Sequence, residues 1–156
     1  MTADVVRLVV PDVAQIEQAA GIRWDDQSAR GFAVALSRAE FVDHFRRWWS
    51  DHSHSHIGLV GLVDEQVVAC GFLALVPRMP SAHRPDRLTV DIQFVHVVAG
   101  LRDRGIGARL LDRLVDLARE QGAERITVHS SERAVTAYAR SGFLVDPLLL
   151  NQHLKR

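Results

Sequence analysis

The sequence predicts an α/β fold: a single domain with a mixed, largely antiparallel central sheet flanked by helices. Three observations support this class. The chain has 156 residues, of which 47% are hydrophobic and 24% charged, which suits one folded domain. Short runs rich in β-branched residues alternate with stretches of helical periodicity. No linker divides the chain, so we expect residues 1–156 to form one domain.

The predicted order of elements is β-α-α-β-β-β-α-β-α-β, and the first half begins with a β-rich run at residues 4–10. Apolar residues at helical spacing then predict a helix over residues 11–20. Residues 21–30 contain glycine and adjacent aspartates and are expected to form a loop. Aromatic side chains at helical spacing predict a second helix within residues 32–49, at least from position 38 onward.

The middle of the chain is predicted to contain three strands. Two apolar runs, residues 57–63 and 67–76, are separated by three polar residues, a pattern typical of a β-hairpin. Residues 77–85 contain three prolines and should form an irregular connection. Residues 88–98 are rich in Val and Ile and partly alternate, which indicates another strand.

The second half contains the strongest helical pattern in the sequence, at residues 105–121. Its apolar residues form one continuous stripe, and Gly122 supplies the expected stop. Residues 125–129 are predicted to form a short strand and residues 131–141 a helix. Residues 143–150 are apolar and are expected to form the last strand.

Composition argues against several classes of protein. The 19 basic and 19 acidic residues give a net charge of zero, which disfavours a nucleic-acid binder. No apolar stretch approaches the ~20 residues needed to span a bilayer, and the N-terminus lacks the pattern of a signal peptide. A lone cysteine, Cys70, cannot form an internal disulfide and lies in an apolar run. We therefore expect a cytoplasmic protein that binds neither membrane nor nucleic acid.

The most informative segment is residues 95–111, where a predicted strand runs through a glycine-containing turn into the long amphipathic helix. The first N–H groups of a helix have no intrahelical partners, and the helix dipole adds positive charge there. Gly105 and Gly107 allow an anion to approach the backbone closely, while Arg102 and Arg104 add charge nearby. The segment therefore predicts a pyrophosphate-binding site.

Two common phosphate-binding motifs do not fit this turn. A P-loop requires Gly-Lys-Ser/Thr, but the only lysine in the chain is Lys155. A dinucleotide fingerprint requires glycine three residues after Gly107, where Leu110 stands. The turn instead reads Arg-x-x-Gly-x-Gly from Arg102 to Gly107.

That motif resembles the first cofactor segment of the GNAT superfamily of acyl-CoA-dependent N-acetyltransferases. A second segment, residues 131–143, is similar to the family pattern Asn-x-x-Ala-x-x-x-Tyr-x-x-x-Gly-Phe. Ser131 stands where Asn is commoner, and four positions match: Ala134, Tyr138, Gly142 and Phe143. The two segments follow each other in the family's order and cover residues 88–143, so the resemblance extends to fold and cofactor.

The resemblance implies that acetyl-CoA is the co-substrate. The end of the strand before the turn would hold the pantetheine arm, and the turn would hold the pyrophosphate. The implied cofactor-binding residues are Val95, His96, Val97, Arg102, Asp103, Arg104, Gly105, Ile106, Gly107, Ala108, Ser131 and Tyr138.

The resemblance also implies two catalytic residues. Tyr138 would be the acid that protonates the departing thiolate. Asp91 lies eleven residues before Arg102, where some family members place a carboxylate base. Two imidazoles remain as alternatives: His129, and His96, whose strand parity relative to Asp91 predicts opposite faces of the sheet.

Two further clusters are candidate sites. His52, His54 and His56 alternate as metal ligands on a strand would, but a solvated loop fits them better, and we expect no metal. The resemblance also places Trp24, Asp25 and Asp26, together with Trp48 and Trp49, on the acceptor side. Two carboxylates beside an indole would suit a cationic amine, but solvated loop acids and core tryptophans fit them better.

The predicted activity is transfer of an acetyl group from acetyl-CoA to a primary amine of a small molecule, by direct attack in a ternary complex. Cys70 does not stand where an acyl intermediate would be expected. The alternatives are a protein or peptide N-acetyltransferase and a non-catalytic acyl-CoA-binding sensor. The apolar segment 143–150 also allows pairing or exchange between two subunits of a homodimer.

Overall fold

A computed structural model describes residues 5–154. A five-stranded sheet in the order β1-β2-β3-β4-β5 forms its centre. The first three neighbouring pairs are antiparallel, and β4 and β5 are parallel. The strands are β1 (Arg7–Val9), β2 (His56–Val63), β3 (Gln66–Arg78), β4 (Arg87–Val97) and β5 (Arg125–Val128).

Helices cover both faces of this sheet. They are α1 (Val13–Ala29), α2 (Arg38–His52), α3 (Ile106–Glu120) and α4 (Val135–Arg140). Helices α1 and α2 pack with Val60, Cys70 and Phe72 on one face. Helix α3 packs with Leu73 and Ile92 on the other. The fold class is therefore the predicted one.

Local sequence signals account for the element boundaries. Asp12 and Gln15 form a capping box at the start of α1, and Ser37 and Glu40 form another at α2. The β2–β3 turn has positive φ at two successive residues, as tight hairpin turns require. The predicted strand over residues 4–10 is seen as β1, although Asp4 lies outside the described residues.

The predicted loop at residues 21–30 is wrong, because α1 continues through it to Ala29. Gly21 does not end the helix. A Cβ there would overlap Nη2 of Arg38, so glycine leaves room for that guanidinium. Arg38 in turn forms an ion pair with Asp25 at 2.9 Å. Packing against α2 thus stabilises a helical segment whose composition is typical of a loop.

The predicted order of elements holds through α4, but residues 143–150 form no strand. The amide of Leu149 donates to the carbonyl of Asp146, and the Asp146 carboxylate accepts from the Leu148 amide, so this segment turns back on itself. Pro147 lacks an N–H for a strand ladder. Leu144 and Leu148 remain about nine-tenths exposed, at 90% and 87%.

None of the helices in the described residues 5–154 is long and apolar enough to cross a membrane.

Candidate active site

An opening between β4 and β5 dominates one end of the sheet. The two strands pair in parallel from Thr89 and Arg125 to Ile92 and Val128, where β5 ends. Strand β4 continues to Val97, and no strand of the described residues pairs with it there on that side. The backbone of the last part of β4 therefore faces a gap.

The backbone groups of this exposed stretch can be assigned from its hydrogen bonds. The amide of Val98 donates to the carbonyl of Val68 on β3 at 2.9 Å. Backbone N–H and C=O groups of successive residues in a strand point to opposite sides. Since those of Val98 point to β3, those of Val97 and Val95 point away from β3, into the gap. Consistent with this, the Val97 carbonyl accepts a hydrogen bond from Nε of Arg102 at 3.0 Å rather than from a strand.

A β-bulge at Gln93 changes which side chains share a face of the sheet. Phe94 pairs with Phe72, and Ile92 pairs with Leu73, so Gln93 is an extra residue in β4. Phe94 and His96 consequently face α1 and α2, as Asp91 does. The prediction that Asp91 and His96 lie on opposite faces is therefore wrong, because simple alternation ignores the bulge.

The gap ends at the start of α3. Gly105 precedes the helix with φ of 78°, a left-handed conformation that glycine adopts readily, and no side chain caps this end. The first helical hydrogen bond runs from the Arg109 amide to the Gly105 carbonyl, which leaves the amides of residues 106–108 without intrahelical partners. This arrangement of open amides and helix dipole suits an anion.

Gly107 fits a ligand-binding role better than a packing role. A Cβ at this position would meet only a methyl group of Val97, at an ordinary 3.7 Å. The protein itself therefore tolerates a side chain there, and the free space lies beside the open amides. These residues fit the pyrophosphate of a bound coenzyme.

Asp91 is held by both of its carboxylate oxygens. Oδ1 accepts a hydrogen bond from the Thr127 hydroxyl of β5 at 2.6 Å, and Oδ2 accepts one from the Gln93 side chain. The carboxylate lines an open pocket of about 660 Å³ together with Arg78 and Arg125. Its orientation is thus fixed across the β4–β5 junction while it stays partly exposed.

Tyr138 lies on the other side of that junction. Its ring packs edge-on against Phe143, with centroids 5.3 Å apart, and burial raises the pKa of its hydroxyl. It lines a second pocket, of about 750 Å³, which shares Thr127 with the Asp91 pocket. Ser131 immediately precedes a short 3₁₀ turn, and its side chain does not cap it.

Of the alternative bases, His96 is the more constrained. Its Nδ1 lies 3.6 Å from Oδ1 of Asp26, and both side chains are about one-tenth exposed. Burial lowers the pKa of His96, with Asp26 opposing the shift, so the ring is neutral at pH 7. His129 is exposed and follows the last residue of β5.

Cys70 is unsuited to a nucleophilic role. It is fully buried, and this burial raises its pKa to about 12, so the thiol stays protonated at neutral pH.

His52 and His56 of the histidine run pack on Trp48, whereas His54 lies exposed in the turn between them. The rings of His52 and His56 lie 4.4 and 4.8 Å from its centroid, and Nδ1 of His52 contacts the Trp48 carbonyl at 2.8 Å. Among residues 5–154, no group of three or more His, Cys, Asp or Glu side chains is arranged to hold a metal ion.

The predicted loop cluster Trp24, Asp25 and Asp26 lies within α1, where Asp25 pairs with Arg38, and Asp26 lies between Arg30 and His96. Sequence reasoning missed two other residues of this region. Thr127 and Gln93, which hold Asp91, belong to no recognisable sequence motif. Their position beside Asp91 follows from the register of β3, β4 and β5, which the sequence does not give.

Comparison with known proteins agrees with this geometry. The family model for the acetyltransferase (GNAT) family matches residues 19–143. The chain belongs to the GNAT family. Membership supports an acyl-CoA-dependent acetyltransferase at the level of the family and leaves the substrate open.

Solved structures share the GNAT fold over nearly the whole chain. A predicted acetyltransferase from Clostridium acetobutylicum, solved with acetyl-CoA, has a TM-score of 0.78 at 18% identity over 95% of this chain and 96% of its own. Glucosamine-6-phosphate N-acetyltransferase from Arabidopsis thaliana has a TM-score of 0.72 at 12% identity, over 96% and 99%.

An aminoglycoside acetyltransferase from an uncultured soil metagenomic sample, in complex with sisomicin, has a TM-score of 0.73 at 12% identity, over 98% of this chain and 97% of its own. A search of curated protein sequences gave no significant match. At these identities the similarity shows a common fold, and it does not identify an acceptor.

Proposed function

We propose that this chain, as one domain over residues 1–156, transfers an acetyl group from acetyl-CoA to a primary amine of a small molecule, by direct attack in a ternary complex. The observation that carries this proposal is the gap between β4 and β5, which leads to the uncapped start of α3. Family membership adds independent support.

The coenzyme would lie along this gap. Backbone groups of residues 95–97 would pair with the amides of the pantetheine arm, and the amides of residues 106–108 would bind the pyrophosphate. Arg102, Asp103 and Arg104 belong to the same turn, and Ser131 lies at the start of the α4 segment. When bound, acetyl-CoA supplies the thioester that the amine attacks.

Asp91 is the proposed base. It faces the side of the sheet covered by α1 and α2, where it lines an open pocket of about 660 Å³. Because Thr127 and Gln93 fix both oxygens, the carboxylate can accept a proton from the amine, directly or through one water, without first reorienting.

Tyr138 is the proposed acid. It packs with the core on the α3 side, opposite Asp91, and reaches the same junction through the pocket that Thr127 shares. Burial keeps its hydroxyl protonated at neutral pH, as an acid that protonates a leaving thiolate must be. Acid and base would then act from opposite sides of the gap.

The acceptor is proposed to be a small molecule, since similar structures include acetyltransferases named for glucosamine-6-phosphate and aminoglycosides. We also propose that the protein is cytoplasmic and holds no metal. It is proposed to bind neither nucleic acid nor membrane. A homodimer remains a prediction, although residues 143–150 do not form the strand on which it was based.

Calorimetry with acetyl-CoA, followed by a thiol-release assay over a panel of amines, tests the proposal. Tight binding with amine-dependent thiol release supports it. Binding without turnover on any small amine favours the sensor, and turnover only on peptides favours a peptide acetyltransferase. Absence of acetyl-CoA binding overturns all three.

A further inference from the structure

Helix α2 carries many aromatic side chains but buries none of its residues. Its rings instead line a pocket of about 290 Å³ between the helix and the sheet. Six of the ten Phe, Trp and Tyr residues in the chain surround it: Phe41, Phe45, Trp48, Trp49, Phe72 and Phe94. Large apolar surfaces left open in this way are typical of binding sites.

Mutual contacts hold the walls of this aromatic pocket in place. Phe45 stacks on Trp49 with an angle of 4° between the rings, and Phe72 meets both edge-on, with centroids 5.8 and 5.2 Å away. A pocket whose walls are already packed loses little conformational entropy when a ligand enters.

The charge distribution selects an uncharged occupant. Among residues 5–154, no carboxylate lines the pocket, and the ionisable groups that do are the basic side chains Arg23, His44 and His56. The Arg23 guanidinium lies 4.7 Å from the centre of the Phe94 ring and occupies that face. A cationic group therefore finds no counter-charge here, whereas a neutral aromatic ring finds flat apolar partners.

The aromatic pocket adjoins the pocket of the proposed catalytic base at Gln93. Gln93, the bulged residue of β4, lines both the aromatic pocket and the Asp91 pocket and donates a hydrogen bond to the Asp91 carboxylate. A molecule with a ring in the aromatic pocket can therefore extend a short chain past Gln93 and present an amine to Asp91.

From these observations we infer that the acceptor is an arylalkylamine, a primary amine joined by a short chain to an uncharged aromatic ring that binds in the aromatic pocket. This inference rests on the proposed function. It also disfavours polycationic acceptors such as sisomicin, because the pocket offers them no carboxylate.

Acetyl transfer from acetyl-CoA to 2-phenylethylamine, ethylamine and sisomicin tests the inference. We expect kcat/KM for 2-phenylethylamine to exceed the values for the other two by about 100-fold or more, as burial of a ring predicts. Equal values for 2-phenylethylamine and ethylamine would overturn it, while leaving the proposed acetyl transfer intact.

Two variants test whether the aromatic pocket causes the preference for 2-phenylethylamine. Phe41→Ala removes one wall and should raise KM for 2-phenylethylamine about tenfold, with little change in kcat or in KM for acetyl-CoA. His44→Trp, at an exposed position on α2, should fill the pocket and raise the same KM. Phe32→Ala is the matched control, because Phe32 is 63% exposed and lies outside the pocket. Wild-type KM in both pocket variants contradicts the inference.

A binding measurement that does not require acetyl transfer distinguishes failure of the aromatic pocket from failure of the proposed activity. Trp48 and Trp49 line the pocket, so 2-phenylethylamine should change the fluorescence of a Trp24→Phe protein, and ethylamine should not. A saturable change without acetyl transfer supports the pocket and rejects the proposed activity. No change at any concentration, alongside acetyl transfer to ethylamine, rejects the pocket alone.

Discussion

Thr127 on β5 donates a 2.6 Å hydrogen bond to Oδ1 of Asp91 on β4, at the last part of the sheet where the two strands still pair. One residue further along, the pairing ends and the gap opens. The hydrogen bond therefore fixes the proposed base at the edge of the proposed coenzyme site.

Asp91→Asn should lower kcat by about 10²- to 10⁴-fold, the range typical of a lost general base. The amide preserves the volume and the Thr127 contact, so acetyl-CoA affinity and melting temperature should stay close to wild type. Steady-state kinetics at a single pH near neutrality measure the loss. A kcat within twofold of wild type would exclude Asp91 as the base.

Thr127→Val tests positioning separately from proton transfer. It removes the donor to Asp91 but keeps the β-branched shape, so kcat should fall less than in Asp91→Asn, with KM for acetyl-CoA unchanged. Thr127→Ser restores the hydroxyl and should recover most of the activity. If the Ser and Val variants behave alike, the hydrogen bond has no role in catalysis.

Tyr138→Phe should lower kcat about 10- to 100-fold, because it removes the proposed acid and leaves the ring against Phe143. Stability should be retained, since the aromatic contact survives. The measurement is kcat for the best amine, together with acetyl-CoA affinity by calorimetry. Loss of binding rather than of kcat would assign Tyr138 to the cofactor site alone.

Gly107→Ala should weaken acetyl-CoA binding about tenfold or more, since the new methyl group would lie beside the amides proposed to hold the pyrophosphate. The fold should tolerate it, because the Cβ meets only a Val97 methyl group at 3.7 Å. Gly100→Ala is the control, as its Cβ meets nothing within 4 Å. Calorimetry that gives the same affinity for both variants would contradict the assignment.

Sequence patterns within one helix or one turn predicted several features of the fold. The α3 stripe is seen in the structure, with Ile106, Leu110 and Leu114 at most 2% exposed, and Gly122 adopts the positive φ expected after the helix. These features depend on spacing within one helix and on one turn. The Arg102–Gly107 motif likewise predicted where α3 begins, because the glycines of the turn lie next to the helix in the sequence.

Features that depend on distant partners were not predicted. The bulge at Gln93 exists only in the register between β3 and β4, and it reversed the expected side of His96. The helical segment 21–29 contacts Arg38 of α2 at Gly21 and at Asp25. In both cases tertiary contacts outweighed local propensity. Residues 143–150 differ, because local hydrogen bonds at Asp146, followed by Pro147, turn the chain where a strand was expected.

His96 predicts a pH dependence of stability. Burial lowers its pKa in the folded protein, opposed by Asp26 and reinforced by Arg30 and Arg102. In the unfolded chain His96 therefore binds a proton below pH ~6.5, whereas in the folded protein His96 binds one only at lower pH. Because the unfolded state binds more protons in that interval, the free energy of unfolding falls as pH decreases from about 6.5 toward the folded pKa.

His96→Gln should reduce this slope. The melting temperature of the wild-type protein should drop by about 1–3 °C more than that of the variant between pH 7.5 and pH 5.5. His56, whose pKa is also lowered by burial, remains in both proteins and supplies a common background. His83→Gln, at an exposed position, serves as the control. If the melting temperature changes equally with pH in wild type and His96→Gln, His96 is protonated as readily in the folded protein as in the unfolded chain. That result would contradict the prediction.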